Sequence, residues 1–147
     1  VGVARTGIGA AAARGAGFVK CVLDTHFLLW ILLEAERLAE FPWLDDYRPW
    51  GVSPVSLLEV QFLAEAGKLE VRSAELVDAL SQDLRFIIDE VPLLQLVRHA
   101  HPLSWTRDPF DRLLAAHSSA RRLPLCTLDR LMLKHHRDVP DPLRSAN

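Results

Sequence analysis

Four acidic side chains stand where an apolar run gives way to the start of a helix: Asp24 after KCVL, Glu59 in SLLEV, Asp111 in DPFDR and Asp129 in CTLDR. Carboxylates brought together repel one another and lose hydration, so a cluster of them costs free energy unless a cation sits between them. With few bases near, oxygen-only donors of this kind suit a hard divalent ion, Mg2+ or Mn2+. Each acid also has a purely local reading. Acids in first helical turns gain roughly 0.3–1 kcal/mol from the helix macrodipole. A lone Asp24 after a strand can simply cap the helix that follows, and Glu59 completes a capping box with Ser56. Asp108 reads as an N-cap, whereas Asp111 stands at the apolar-flanked start of FDRLLAA, where a helix should face a sheet.

These acids can meet only if the elements carrying them share one edge. KCVLD (20–24) reads as a buried strand feeding the helical stretch THFLLWILLEAERL. FPWLDDYRPW follows, with Pro42 suited to a helix start and Pro49 to its stop. GVSPV is the next strand, and SLLEVQFLAEAGKL a helix capped by Ser56 and stopped at Gly67. A helix over 73–84 with Ser73 as its cap, a strand over 85–91 and a helix opening at Pro92 come next. DPFDRLLAAHSSARR (108–122) reads as a helix with Asp108 as N-cap and Pro109 at its first position. LPLCT (123–127) and LDRLMLKHH supply a last strand and a short helix. Strands alternating with helices predict an α/β domain with a mainly parallel sheet, whose ligands bind beyond the carboxyl ends of the strands. All four acids fall at that edge.

At 147 residues the chain fits one domain, 18–147, behind a Gly/Ala-rich stretch at 1–17 that reads as a disordered leader. Charge is uneven: 13 acids against 5 bases between Glu34 and Glu90, but 7 bases against 3 acids between Arg107 and Arg137. One surface would tolerate a polyanion and another would repel it, unless both are ordinary solvated faces. Cys21 and Cys126 lie in apolar runs without zinc or disulfide spacing, which makes a reducing compartment, the cytoplasm, the default. They are expected to be buried packing residues at one depth of the sheet. His26, His135 and His136 lack partners at zinc spacing, and His117 reads as a partly buried helix residue. Trp30, Trp43 and Trp50, among apolar neighbours, read as core or interface rather than as a base-stacking platform, which would more often be exposed. No run is long enough to span a membrane.

VLDTHFLLW, VSPVSLLEVQFLAEAGKLEV, RDPFDRLLAAHS and LPLCTLDRLML together resemble the signature blocks of PIN-domain ribonucleases, closest to the VapC-type toxins of toxin–antitoxin pairs. The resemblance runs over roughly residues 20 to 140, and DPFDRLLAA is its most specific block. It implies a PIN-like three-layer α/β sandwich, a mainly parallel sheet of about five strands with helices on both faces. It carries the acidic site onto Asp24, Glu59, Asp111 and Asp129, with Asp24 and Asp111 as direct ligands of Mg2+ or Mn2+. Thr25 and Thr127 match hydroxyl positions beside the site, Asp108 an accessory acid or cap, and Arg112 a contact to an RNA phosphate or a site carboxylate. Leu58 stands where tryptophan is frequent in the family, and Ala64 and Glu65 where a lysine often occurs.

The activity so implied is metal-dependent endoribonucleolysis leaving 5′-phosphate and 3′-hydroxyl ends, with a tRNA or rRNA loop as target. Arg107, Arg121, Arg122 and Arg130, with Arg112, would hold the RNA backbone, although each alone reads equally as a surface charge. The resemblance also implies a cognate antitoxin and a homodimer or toxin–antitoxin hetero-oligomer, contacted through the apolar helices at 25–40 and 56–67. The main rival is a PIN-fold binding module that docks RNA or a protein without cleaving. A phosphatase with an aspartyl nucleophile is disfavoured, because its second acid would fall at position 26, which is His26.

Overall fold

The structure, a computed structural model, describes residues 18–70 and 73–144. Four short apolar runs form strands β1 (Cys21–Leu23), β2 (Trp50–Val52), β3 (Phe86–Ile88) and β4 (Leu125–Cys126). All pair in parallel, in the order β3-β2-β1-β4. Parallel neighbours need long crossovers, and helices supply them: α1 (Thr25–Leu32), α2 (Pro54–Glu65), α3 (Ser73–Gln82), α4 (Leu93–Ala100) and α5 (Pro109–Arg121), followed by α6 (Arg130–His135) and α7 (Asp141–Arg144). From β1 the chain steps outward to β2 and β3, then returns to lay β4 on the other side of β1. The strand order therefore reverses between β1 and β4, where an open α/β sheet forms its ligand crevice.

Alternate residues of the strands separate the two faces. Cys21, Leu23, Trp50, Val52 and Phe86 join Phe27, Leu28, Val60 and Leu80 in one apolar cluster under α1, α2 and α3. Val22 and Leu125 meet Leu114 of α5 and Met132 of α6 on the opposite face. Leu96, Ala100 and Ala116 then bind α4 to α5. Helices thus cover both faces, giving the expected three layers. The close strand approach requires Gly51, where an added Cβ would lie 2.6 Å from the Cys21 carbonyl oxygen and 2.8 Å from Val19 Cγ1.

Several expectations need correction. The sheet has four strands among the described residues, not about five. The helix after Asp24 stops at Leu32, because Glu34 takes a left-handed conformation (φ 51°) and the chain continues as 3-10 segments over Glu36–Glu40 and Pro42–Tyr47. GVSPV does not stay extended: Pro54 begins α2, and its cap is Ser53, whose hydroxyl accepts from the Val55 N–H at 3.2 Å. Ser56 therefore lies inside the helix and forms no capping box with Glu59. Cys126 pairs with Leu23 rather than Cys21, so the buried free thiols are offset by one same-face step rather than level. The leader at 1–17 and the Ser73 side chain lie outside the described residues. Among those residues, no helix is long and apolar enough to cross a membrane.

Candidate functional site

Asp24 ends β1 in extended conformation and caps α1, accepting from the Phe27 N–H at 2.9 Å. Its own N–H donates to the Cys126 carbonyl at 3.0 Å, so the strand ladder fixes its position. The side chain is 3% exposed. Burial raises its pKa above the usual carboxylate range, and the nearby Glu59 charge adds to this, while the Thr127 hydroxyl, the Phe27 N–H and His26 oppose it. The local reading of Asp24 as a cap is thus correct, yet a cap needs no burial at the switch point of a sheet.

Asp129 plays the same capping part for α6, accepting from the Met132 N–H at 2.9 Å. Thr127, fully buried, couples it to Asp24. Its hydroxyl oxygen accepts from the Asp129 N–H at 3.1 Å while its proton goes to the Asp24 carboxylate. Thr25 does a related service for Glu59: its Oγ1 lies 2.5 Å from Glu59 Oε1 and 3.0 Å from Ser56 Oγ. One hydroxyl carries one proton, so with the carboxylate taking that of Thr25, Ser56 supplies its own to the threonine oxygen. Glu59 is thereby turned toward β1 and away from the end of its own helix.

Asp111 sits in the first turn of α5. Asp108 caps that helix, accepting from the N–H groups of Phe110 (2.9 Å) and Asp111 (3.1 Å). The loop leading to Asp108 is anchored by Trp105, which stacks on His135 with ring centroids 5.2 Å apart and planes within 10°. Burial, then the charges of Asp108, Asp129, Glu59 and Asp24, push the Asp111 carboxyl up to about 7. The four acids, with Asp108, therefore share one electrostatic environment, although they come from four separate segments. Among the described residues no group of three or more His, Cys, Asp or Glu side chains is placed to hold a metal ion as it stands. The donor chemistry nevertheless suits a hard divalent cation: carboxylate oxygens, with Asp24 buried, Glu59 and Asp111 partly buried and Asp129 exposed, beside two threonine hydroxyls.

The arginines divide. Arg112, partly buried, donates from Nε to the Ala100 carbonyl at 2.9 Å and from Nη2 to that of His101 at 2.7 Å, which ties α5 to the end of α4. Arg121 donates to Asp89 at 2.9 Å, beside His117, whose Nε2 is 2.8 Å from the same oxygen. Both arginines thus have partners within the fold. Arg107, Arg122 and Arg130 are exposed. His117 is fully buried rather than partly so, and His136 is held by Ser118 at 2.8 Å. The contact of Ser56 with Thr25 and the pairing of Asp89 with His117 and Arg121 left no signal in the sequence, because the partners stand 28 to 32 residues apart.

Comparison with curated proteins finds no match. The PIN domain family matches residues 21–137, from the first residue of β1 to just past α6. PIN domains are typically nucleases and generally use divalent metal ions. A match over most of the chain, on a parallel sheet with acids at its switch point, shows that the chain belongs to the PIN-domain family.

Proposed function

We propose that this chain is a metal-dependent endoribonuclease toxin of the VapC type, restrained by a cognate antitoxin. The observation that carries the reading is Asp111, pushed up to about 7 by burial, by its neighbour Asp108 and by three acids from separate segments, Asp129, Glu59 and Asp24. A fold has no structural need for such repulsion, and a divalent cation relieves it.

In this reading Asp24 and Asp111 hold Mg2+ or Mn2+, and Asp129 and Glu59 complete the shell or orient the attacking water. Bound there, the ion supplies Lewis acidity toward the phosphodiester and lowers the pKa of water. Thr127 keeps the Asp24 and Asp129 carboxylates in fixed relation, and Thr25 does so for Glu59. Water oxygen adds to phosphorus as the bond to the 3′ oxygen breaks, leaving 5′-phosphate and 3′-hydroxyl ends. A tRNA or rRNA loop in the cytoplasm is the substrate class that the family resemblance favours. Exposed Leu58 and Phe62 on α2 and Leu33 after α1 support an apolar docking surface for the antitoxin or a second copy.

A second reading, an inactive PIN module that docks RNA or protein, is favoured by one observation: the lack of a closed metal shell among the described residues. The two separate on one experiment. Purified protein is incubated with total small RNA in Mg2+, Mn2+ or EDTA, beside an Asp111→Asn control. Products that need metal and vanish in the control support the nuclease. Silence in both, with no metal-induced rise in melting temperature, supports the module.

A further inference from the structure

Next to the acid cluster lies an open cavity of about 390 Å³, lined by Asp24, His26, Trp30, Arg37, Leu128 and Asp129. Two of these are site carboxylates, which repel a phosphate. The rest offer an indole, an imidazole, a guanidinium and a leucine. The Arg37 guanidinium carbon lies 4.0 Å from the Trp30 ring centroid and 6.0 Å from that of Phe41. Trp30 and Phe41 are themselves near parallel, at 10° and 6.1 Å, and the His26 ring lies 6.2 Å from Trp30. Among the described residues Arg37 has these ring contacts and no carboxylate partner.

The backbone builds this arrangement at some cost. Glu34 adopts φ 51° without being glycine, and the Ala35 N–H closes the turn on the Trp30 carbonyl at 2.9 Å. The chain is thereby folded back so that Arg37, seven residues on from Trp30, lies over the indole. A planar guanidinium backed by an indole is a surface on which an unstacked nucleobase can lie, and its N–H fork can take a phosphate oxygen.

We propose that this cavity is a nucleotide subsite, with Arg37 and Trp30 positioning the base and phosphate of an unpaired nucleotide next to the bond to be cut. The proposal rests on the nuclease reading, and it adds a requirement for single-stranded RNA. A paired base cannot leave its stack to reach the platform without losing its partner.

The test measures binding and cleavage of a labelled single-stranded oligoribonucleotide by the full chain. Binding is read by fluorescence anisotropy in EDTA, where no cleavage occurs. Arg37→Ala is expected to raise both Kd and KM about tenfold and to change kcat less than about twofold, as loss of one stacked base contact would. Arg37→Lys, which keeps the charge but loses the plane, should recover less than half of that loss. An oligonucleotide lacking the base beside the cut should bind wild type about tenfold more weakly, yet bind Arg37→Ala no worse than the intact strand does. Unchanged Kd in Arg37→Ala, independent losses from the variant and the missing base, or equal dependence on Arg37 for a duplex would each overturn the subsite. Wild type that binds single strands through Arg37 but never cuts them would sink the nuclease reading and leave the subsite standing.

Discussion

At the scale of single residues, the cap that Asp24 forms and the metal-holding role proposed for it can be separated by one atom. As the cap of α1 it needs only an acceptor oxygen, which asparagine also provides. As a ligand it needs a charge. Asp24→Asn should therefore keep the melting temperature of the metal-free protein, or raise it by removing repulsion, while metal-dependent cleavage falls at least about 100-fold, on the scale of losing a metal-holding group. Asp24→Ala loses the cap as well, at about 1 kcal/mol. Thermal melts in EDTA beside cleavage assays decide this. Equal loss of stability in both variants would mean that the carboxylate is purely structural. Asp111 makes a second, pH-dependent prediction. Its carboxyl is raised from 3.8 to about 7, so the folded state binds its proton more tightly than the unfolded chain does. Its contribution to stability is full below 3.8 and is lost as pH rises toward 7. The stability difference between wild type and Asp111→Asn, measured in EDTA, should therefore move in favour of the variant between pH 4 and 7.5, about that same window. His136, lowered by burial, is common to both proteins and cancels in the difference, whereas Asp24, whose charge helps raise Asp111, is itself relieved in the variant and moves the difference the same way. A flat difference would show that Asp111 is not desolvated among acids.

At the scale of elements, the site depends on how α5 lies on the sheet, and a buried group outside the acid cluster ties that helix to the end of β3. Asp89, just past β3, accepts from Arg121 and His117 of α5. Desolvation alone would raise its pKa, but those two partners overcome it and hold the carboxyl below its usual value. Asp89→Ala strands the buried imidazole and should cost about 3–5 kcal/mol in urea unfolding, with cleavage lost only as far as the fold is lost. A cost below about 1 kcal/mol would mean that helix packing alone orients α5. This group also shows why part of the structure was illegible. In the sequence Arg112 and Arg121 look like Arg107, Arg122 and Arg130, and only the fold reveals which guanidinium has a partner. The α1 boundary was hidden because Glu34 takes the left-handed position where glycine is the usual signal. The α2 boundary was readable in principle, since Pro54 fits the first helical position better than a strand, and the serine before it is the cap. Asp24, Asp111 and Asp129 were legible because each follows or opens an element whose type was correctly read, whereas Glu59, expected at a helix start, lies in the middle of α2.

At the scale of the whole molecule, the uneven charge along the sequence becomes an uneven charge across the sheet. The acidic stretch from Glu34 to Glu90 contains β2, α2, α3 and β3, on one side of β1. The basic stretch from Arg107 to Arg137 contains α5, β4 and α6, so its strand lies on the other. Of its arginines, Arg112 and Arg121 are engaged within the fold; besides Arg137 past α6, this leaves three exposed, Arg107 and Arg130 at the starts of α5 and α6 and Arg122 at the far end of α5. If single-stranded RNA lies along that side, its affinity should fall with salt, and each of these three residues that contacts a phosphate should contribute about 0.7 to the slope of log K against log salt concentration. Single Ala variants at the three positions should each flatten the slope by that amount without moving the melting temperature. Arg112→Gln should do the reverse, lowering the melting temperature as α5 loosens from α4 while the slope stays unchanged. A slope indifferent to Arg107, Arg122 and Arg130 would place the RNA path elsewhere.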